Sequence, residues 1–220
     1  MPINGNVADL VLAQLAEWGV KRIYGVLSDA IFPLLDAIAR QDKIKFIAAT
    51  REDSAAFMAS YEARVTGKIA VCATGAGPGA VTMLNGLADA FMDGVPVLAI
   101  TGQLETKKMG TGTKQYFDQQ ALFRTFSGRS AIIIDPANVT RELIATVRYA
   151  YLHFTTGHIS IPKDIFTKAI SSEIVPVDYV EVKTTPPVTG NIEKILDATR
   201  CFHKPLVVLG RQSKTVTSQV

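Results

Sequence analysis

Short apolar runs alternate along the chain with longer stretches in which apolar residues recur every three or four positions. The first pattern reads as strand and the second as helix. Val7, Leu10, Val11, Leu15 and Trp18 predict a helix over 7–18, and Gly19 stands where a C-terminal stop belongs. A strand follows over 22–26. Ile31, Leu34, Leu35 and Ile38 mark a second helix, which tolerates Pro33 because it falls in the first turn. Strands are expected over 45–49 and 68–73, separated by an alanine-rich helix over 52–65. A glycine-rich turn, 75–79, leads into a helix over 80–92. The run 95–101 is apolar almost throughout, as buried parallel strands are. After a loop of Gly, Thr and Lys over 103–114, the pattern predicts a helix over 118–125 and a strand over 130–134. A helix over 138–152 with Asn138 as N-cap comes next, then a strand over 158–161 ended by Pro162.

Strands alternating with helices of this length predict an α/β fold: a parallel sheet flanked by helices on both faces, in three layers α/β/α, with right-handed crossovers. This domain is expected to cover 1–170. Residues 171–189, with Pro176, Pro186 and Pro187 and no periodicity, read as a linker. A helix near 191–200 and a strand over 205–210 read as the start of a central α/β domain over 190–220, cut short. The chain is therefore expected to be the N-terminal part of a longer protein.

Composition narrows the function classes. Lys and Arg number 23 against 20 Asp and Glu, a net charge of +3 that is too small and dispersed to argue for nucleic acid or an anionic membrane. Cys72 and Cys201 form no CxxC motif and no disulfide framework, which fits a reducing cytoplasm. The N-terminus lacks the pattern of a signal peptide, and no apolar run approaches the roughly 20 residues that span a bilayer. Trp18, His153 and His158 read as packing residues. Met83, Leu87 and Phe91 form a strip at helical spacing, read as packing against the fold or a second subunit.

Candidate chemistry lies after three strands, because open parallel sheets bind ligands at the carboxyl ends of their strands. Gly25 and Val26 open the first such loop, which runs to Asp29. Thr50, Arg51, Glu52 and Asp53 form the second. Thr74 and the turn Gly75-Ala76-Gly77-Pro78-Gly79 form the third. A glycine turn before a helix can hold a phosphate, but this one is not the dinucleotide GxGxxG.

These residues also carry a resemblance. Val71 to Ala80, Asn85 to Asp93 and Val95 to Gln103 resemble the pyrimidine-binding (PYR) domain of thiamine-diphosphate enzymes, closest to the pyruvate oxidase and acetolactate synthase group. The likeness extends through 51–67, Gly110, Thr111 and Gln115, and Gly157 to Pro162 with Asp164, in one colinear order over about residues 5–170. It implies a domain that binds the aminopyrimidine end of thiamine diphosphate between two subunits of a homo-oligomer. Mg2+ would be held by a separate C-terminal domain, and no metal ligand is assigned to this one. FAD, where present, would lie mainly in a middle domain. The substrate implied is pyruvate or a related 2-oxo acid. Carried over residue by residue, Gly25, Val26, Asp53, Thr74, Gly77, Pro78, Gly79 and Asn85 would bind cofactor. Gln115 would touch substrate or intermediate.

The family's central residue is a glutamate that bonds a pyrimidine nitrogen and so promotes loss of the thiazolium proton. It follows a histidine in an Arg-His-Glu pattern. An ungapped match puts Glu52 in the histidine position and Asp53 in the glutamate position. Aspartate is shorter by about 1–1.5 Å, enough to break a hydrogen bond without backbone movement. Three readings stay open: Asp53 acts after a backbone adjustment, Glu52 acts after a local register change, or the site works differently. The loop around 114 departs too, with Lys114 where an aromatic is common; a cation there would suit an anionic substrate. The alternatives to the enzyme are a cofactor-binding or regulatory module that has lost proton abstraction, or an unrelated nucleotide-binding domain.

Overall fold

In a computed structural model the described residues are 2–179 and 189–204, with 206 and 208. The chain separates into two compact units, residues 1–182 and 183–220.

The first unit begins with β1 (Pro2–Asn6) and α1 (Val7–Glu17). Asn6 and Asp9 close a reciprocal capping box at the start of α1, each side chain accepting from the other's backbone N–H at 3.0 Å. There follow β2 (Arg22–Gly25), α2 (Phe32–Ala39), β3 (Lys45–Ala48), α3 (Glu52–Thr66) and β4 (Ala70–Thr74). Then come α4 (Pro78–Met92), β5 (Val97–Gln103), α5 (Gln119–Phe123), β6 (Arg129–Ile132) and α6 (Val139–His153). The unit closes with β7 (Thr156–Pro162), α7 (Lys163–Phe166) and β8 (Ala169–Glu173). Pro33 and Pro78 sit at the first turns of α2 and α4, where a missing N–H costs nothing.

Six strands form one parallel sheet in the order β3-β2-β4-β5-β7-β6. The two faces follow the period of two along each strand. Val71 and Ala73 of β4, with Leu98 and Ile100 of β5, pack into a core with α1, α2 and α6. Ala70, Cys72, Val97 and Ala99 face the other way, into a core with α3, α4 and Phe123 of α5. The three-layer α/β/α architecture read from the sequence is the one observed. Trp18 is in the core, as are Met83 and Leu87; Phe91 is part-exposed and meets Phe126 edge-on.

Some elements differ from expectation. Asn138 precedes α6, but its side chain makes no capping bond; Asp135, three residues earlier, accepts from Ala137 N instead. β7 starts two residues early and includes Pro162, paired with Gln103. The stretch read as linker opens with β8, which pairs antiparallel with β1 from Pro2↔Glu173 to Asn6↔Ala169. Beyond it, Val175 is fastened to α1. Its carbonyl accepts from Gln14 Nε2 (2.7 Å) and Trp18 Nε1 (3.0 Å), and its N–H donates to Gln14 Oε1. In the second unit α8 (Thr189–Thr199) takes the place of the expected helix. The strand expected over 205–210 falls, apart from 206 and 208, outside the described residues.

Candidate functional site

The order of the sheet places β4 beside β2 on one side and β5 on the other. The loops after β2, β3, β4 and β5 therefore gather at one edge, and the candidate residues lie on them.

The β4 loop is shaped by glycine. Gly77 has φ +67°, which a residue with a side chain rarely adopts, and it hands the chain to Pro78 at the start of α4. Close neighbours also require the missing side chains. A Cβ on Gly77 would lie 2.8 Å from Gln115 Cβ, and one on Gly79 would lie 2.9 Å from Glu52 Oε1 and 3.0 Å from Thr74 Oγ1. So Glu52, Thr74, Gly77, Gly79 and Gln115, from three separate loops and strands, converge on one turn. Gln115 is itself held at φ +74°, an uncommon value for a non-glycine residue.

The two adjacent acids part company here. Both stand in the first turn of α3, where the helix dipole favours negative charge. Successive helical residues diverge by about 100° around the axis. Glu52, half-buried, reaches over Gly79, and its carboxylate has no hydrogen-bond or ion-pair partner among the described residues. Asp53 points elsewhere and is fully engaged. Arg51 donates to both of its oxygens (Nε to Oδ1 at 3.1 Å, Nη2 to Oδ2 at 2.9 Å), and Ser54 N donates to Oδ1 at 2.8 Å. The Arg51 guanidinium above all holds the Asp53 carboxyl at about 2; partial burial opposes this, and Ser54 N–H and the Asn85 amide assist. Asn85 is exposed on α4 and belongs with Asp53, away from the glycine turn.

A match to the family described as "Thiamine pyrophosphate enzyme, N-terminal TPP binding domain" covers residues 5–122. The chain belongs to that family. It is 34% identical to pyruvate oxidase of Lactiplantibacillus plantarum, over 74% of this chain and 27% of the oxidase. It is 27% identical to the large subunit of acetolactate synthase isozyme 3 of Escherichia coli K12, over 92% of this chain and 36% of that subunit. An uncharacterized 42.6 kDa protein of Pseudomonas amyloderamosa matches at 34% over 89% of the chain and 49% of its own length. The chain spans half or less of the length of these relatives.

The local chemistry of this thiamine pyrophosphate enzyme domain fits one end of the cofactor. The missing side chains let Gln115 close over Gly77 and Glu52 over Gly79, which leaves a carboxylate without a partner beside backbone where a ring nitrogen could meet it. Among the described residues no group of three or more His, Cys, Asp or Glu could hold a metal ion. No helix among them is long and apolar enough to cross a membrane.

The other residues expected at the site differ in burial and neighbours. A Cβ on Gly25 would collide with the Ala73 carbonyl and lie 2.9 Å from the Phe46 ring, so strand packing requires glycine there. Val26 is half-buried in the next loop, and its neighbour Ser28 packs against Gly75. Pro78 is exposed at the first turn of α4. Lys114 is exposed beside Gln115.

A polar network beneath the site was not foreseen as such. His158 is buried and stacks on Phe123, ring centroids 3.7 Å apart. Gln119 Nε2 donates to Gly102 O at 3.0 Å, which turns its Oε1 toward Thr101, whose hydroxyl donates to it. Thr101 has then spent its proton and accepts from His158 Nε2–H at 2.8 Å. The bare Nδ1 accepts from Ser130 Oγ at 2.7 Å. Burial pushes the His158 pKa down to about 3, so the ring stays neutral. The sequence offered one signal, the alternation of His158 and Ser160 with Ile159 and Ile161, which puts two polar groups on one buried face. Nearby, Asp164 accepts from Thr106 N and Oγ1 at 2.9 and 2.6 Å, pinning the loop after β5 to α7. Lys163 Nζ donates to Asp29 at 2.6 Å, joining the loops after β7 and β2.

Proposed function

We propose that this domain binds the aminopyrimidine ring of thiamine diphosphate against the Gly77–Gly79 turn, within an enzyme that decarboxylates pyruvate or a related 2-oxo acid. Glu52 is the residue that shares a proton with the ring nitrogen. The observation that carries this reading is the direction of its carboxylate: unpartnered, half-buried and set over the one turn from which side chains are missing. Asp53 is already saturated by Arg51 and Ser54, so its role is to brace the start of α3.

When bound, thiamine diphosphate supplies the electron sink for decarboxylation. The chain supplies placement and a proton site. Glu52 would hold or release a proton at Oε1, the oxygen that overlies Gly79. Gln115, held against Gly77, offers an amide at the rim. Lys114 places a positive charge there, which favours a carboxylate substrate. Magnesium and the diphosphate belong to another domain, and a second copy of the chain completes the site. Flavin, as in an oxidase, would be held outside this domain.

Proton–deuterium exchange at the thiazolium carbon, followed by NMR in the full-length protein with magnesium, tests the reading. Wild type should exchange far faster than free cofactor. Glu52→Gln should fall by at least about 100-fold, the usual size of a general acid–base contribution, while Asp53→Asn should keep most of the rate. The reverse pattern would move the role to Asp53. Wild-type exchange no faster than free cofactor would favour a module that binds without proton abstraction.

A further inference from the structure

We infer that Thr74 is a positioning residue for Glu52, donating its hydroxyl hydrogen bond to that carboxylate when the site is engaged. This rests on the assignment of Glu52 proposed above.

Thr74 is the last residue of β4 and is 1% exposed. Its Oγ1 is buried without any hydrogen-bond partner. A hydroxyl stranded in this way is costly, and native folds seldom tolerate it without a reason. The obvious neighbour cannot help. Thr101 is the cross-strand partner of Thr74, and its hydroxyl is already committed to Gln119 and His158. What does lie close is the other group without a partner. Thr74 Oγ1 and Glu52 Oε1 both sit within 3.0 Å of the point where a Gly79 side chain would begin. An unpaired donor and an unpaired charged acceptor therefore flank one empty position. Rotation about the side-chain bonds of Glu52 is the movement that would bring them together. Gly79 keeps the space between them clear.

A bond formed only then would fix the carboxylate's direction and take up the idle donor. It would add nothing to the stability of the free protein. This sign separates a positioning role from a structural one. Removing an already stranded hydroxyl by an isosteric methyl should not lower stability.

The test uses the full-length protein with thiamine diphosphate and magnesium, comparing wild type, Thr74→Val, Thr74→Ser and Glu52→Gln. Without cofactor, Thr74→Val should melt at the same temperature as wild type or higher; with cofactor and magnesium it should exchange the thiazolium proton about tenfold more slowly, the loss expected for one hydrogen bond to a charged group. Thr74→Ser, which restores the hydroxyl, should recover most of the rate. Unchanged exchange in Thr74→Val overturns the inference. So does a lower melting temperature in that variant, which would mean the hydroxyl is structural, or a failure of serine to rescue, which would point to packing of the methyl. If Glu52→Gln itself exchanges like wild type, the assignment of Glu52 fails. If only Thr74→Val does so, the assignment stands and this inference alone falls.

Discussion

At the scale of single residues, two neighbouring acids face different partners because a helix begins beneath them. Residue matching alone left Glu52 and Asp53 open, since adjacent letters carry no direction. The direction comes from α3, which turns one carboxylate over the glycine turn and the other back onto Arg51. The Asp53 pair has a measurable signature in acid. Its folded pKa, about 2, lies below the usual carboxylate value, so the native state binds the proton less readily than the unfolded chain. The pair therefore stabilises the fold above about pH 4, and that contribution is lost as pH falls toward 2. Asp53→Asn should be less stable than wild type at neutral pH, and the two should converge by about pH 2. Urea titrations across that range would show it; a gap that persists at pH 2 would mean the pair is not the cause.

At the scale of elements, the site depends on how closely α3 and α4 approach. A Cβ on Gly86 of α4 would lie 2.5 Å from Asp53 O and 2.8 Å from both Ala56 Cβ and Phe57 N of α3. These neighbours are backbone and a short side chain, with nowhere to go. Gly86→Ala should therefore cost about 1–3 kcal/mol, the usual range for overpacking, and slow proton exchange by displacing Glu52. Thermal melting beside the exchange assay would check both effects; a variant as stable as wild type would show that the helices can part freely. The main βα units were legible in the sequence because their periodicity is local: the alanine-rich helix, the apolar run of β5 and the glycine turn each announce themselves within a few residues. β1 and β8 were not. Pro-Ile-Asn-Gly-Asn has no alternating apolar face, and its partner lies more than 160 residues away. The polar network around His158 was hidden for a similar reason, since Ser130, Thr101 and Gln119 meet it only across three strands and a helix.

At the scale of the whole molecule, the first unit gathers the candidate residues at one edge of its sheet, and the proposed site would be completed from outside it. The described residues offer a glycine turn and a carboxylate without a partner but no cluster suited to a metal ion. Residues 1–182 expressed alone should therefore bind thiamine diphosphate weakly, with a dissociation constant well above micromolar. Titration calorimetry with magnesium present would test this, and micromolar binding would show that the pyrimidine contacts suffice by themselves. The sequence conveyed the family and the three-layer architecture. It could not convey which oxygen faces which, because that depends on a few ångströms of clearance above Gly79.

The antiparallel pairing of β1 with β8 carries a different consequence. Pro2 lies opposite Glu173, so the first strand of the unit begins where its last strand ends, before the chain runs on to Val175 and its bonds to Gln14 and Trp18. With Pro2 and Glu173 about a strand spacing apart, near 5 Å, the unit could be spliced as a cassette into a loop of an unrelated host through joining segments that keep Val175 in place. It could equally be rewired, its old ends joined by a short bridge and new ones opened among the exposed residues 110–114, without disturbing a strand of the main sheet.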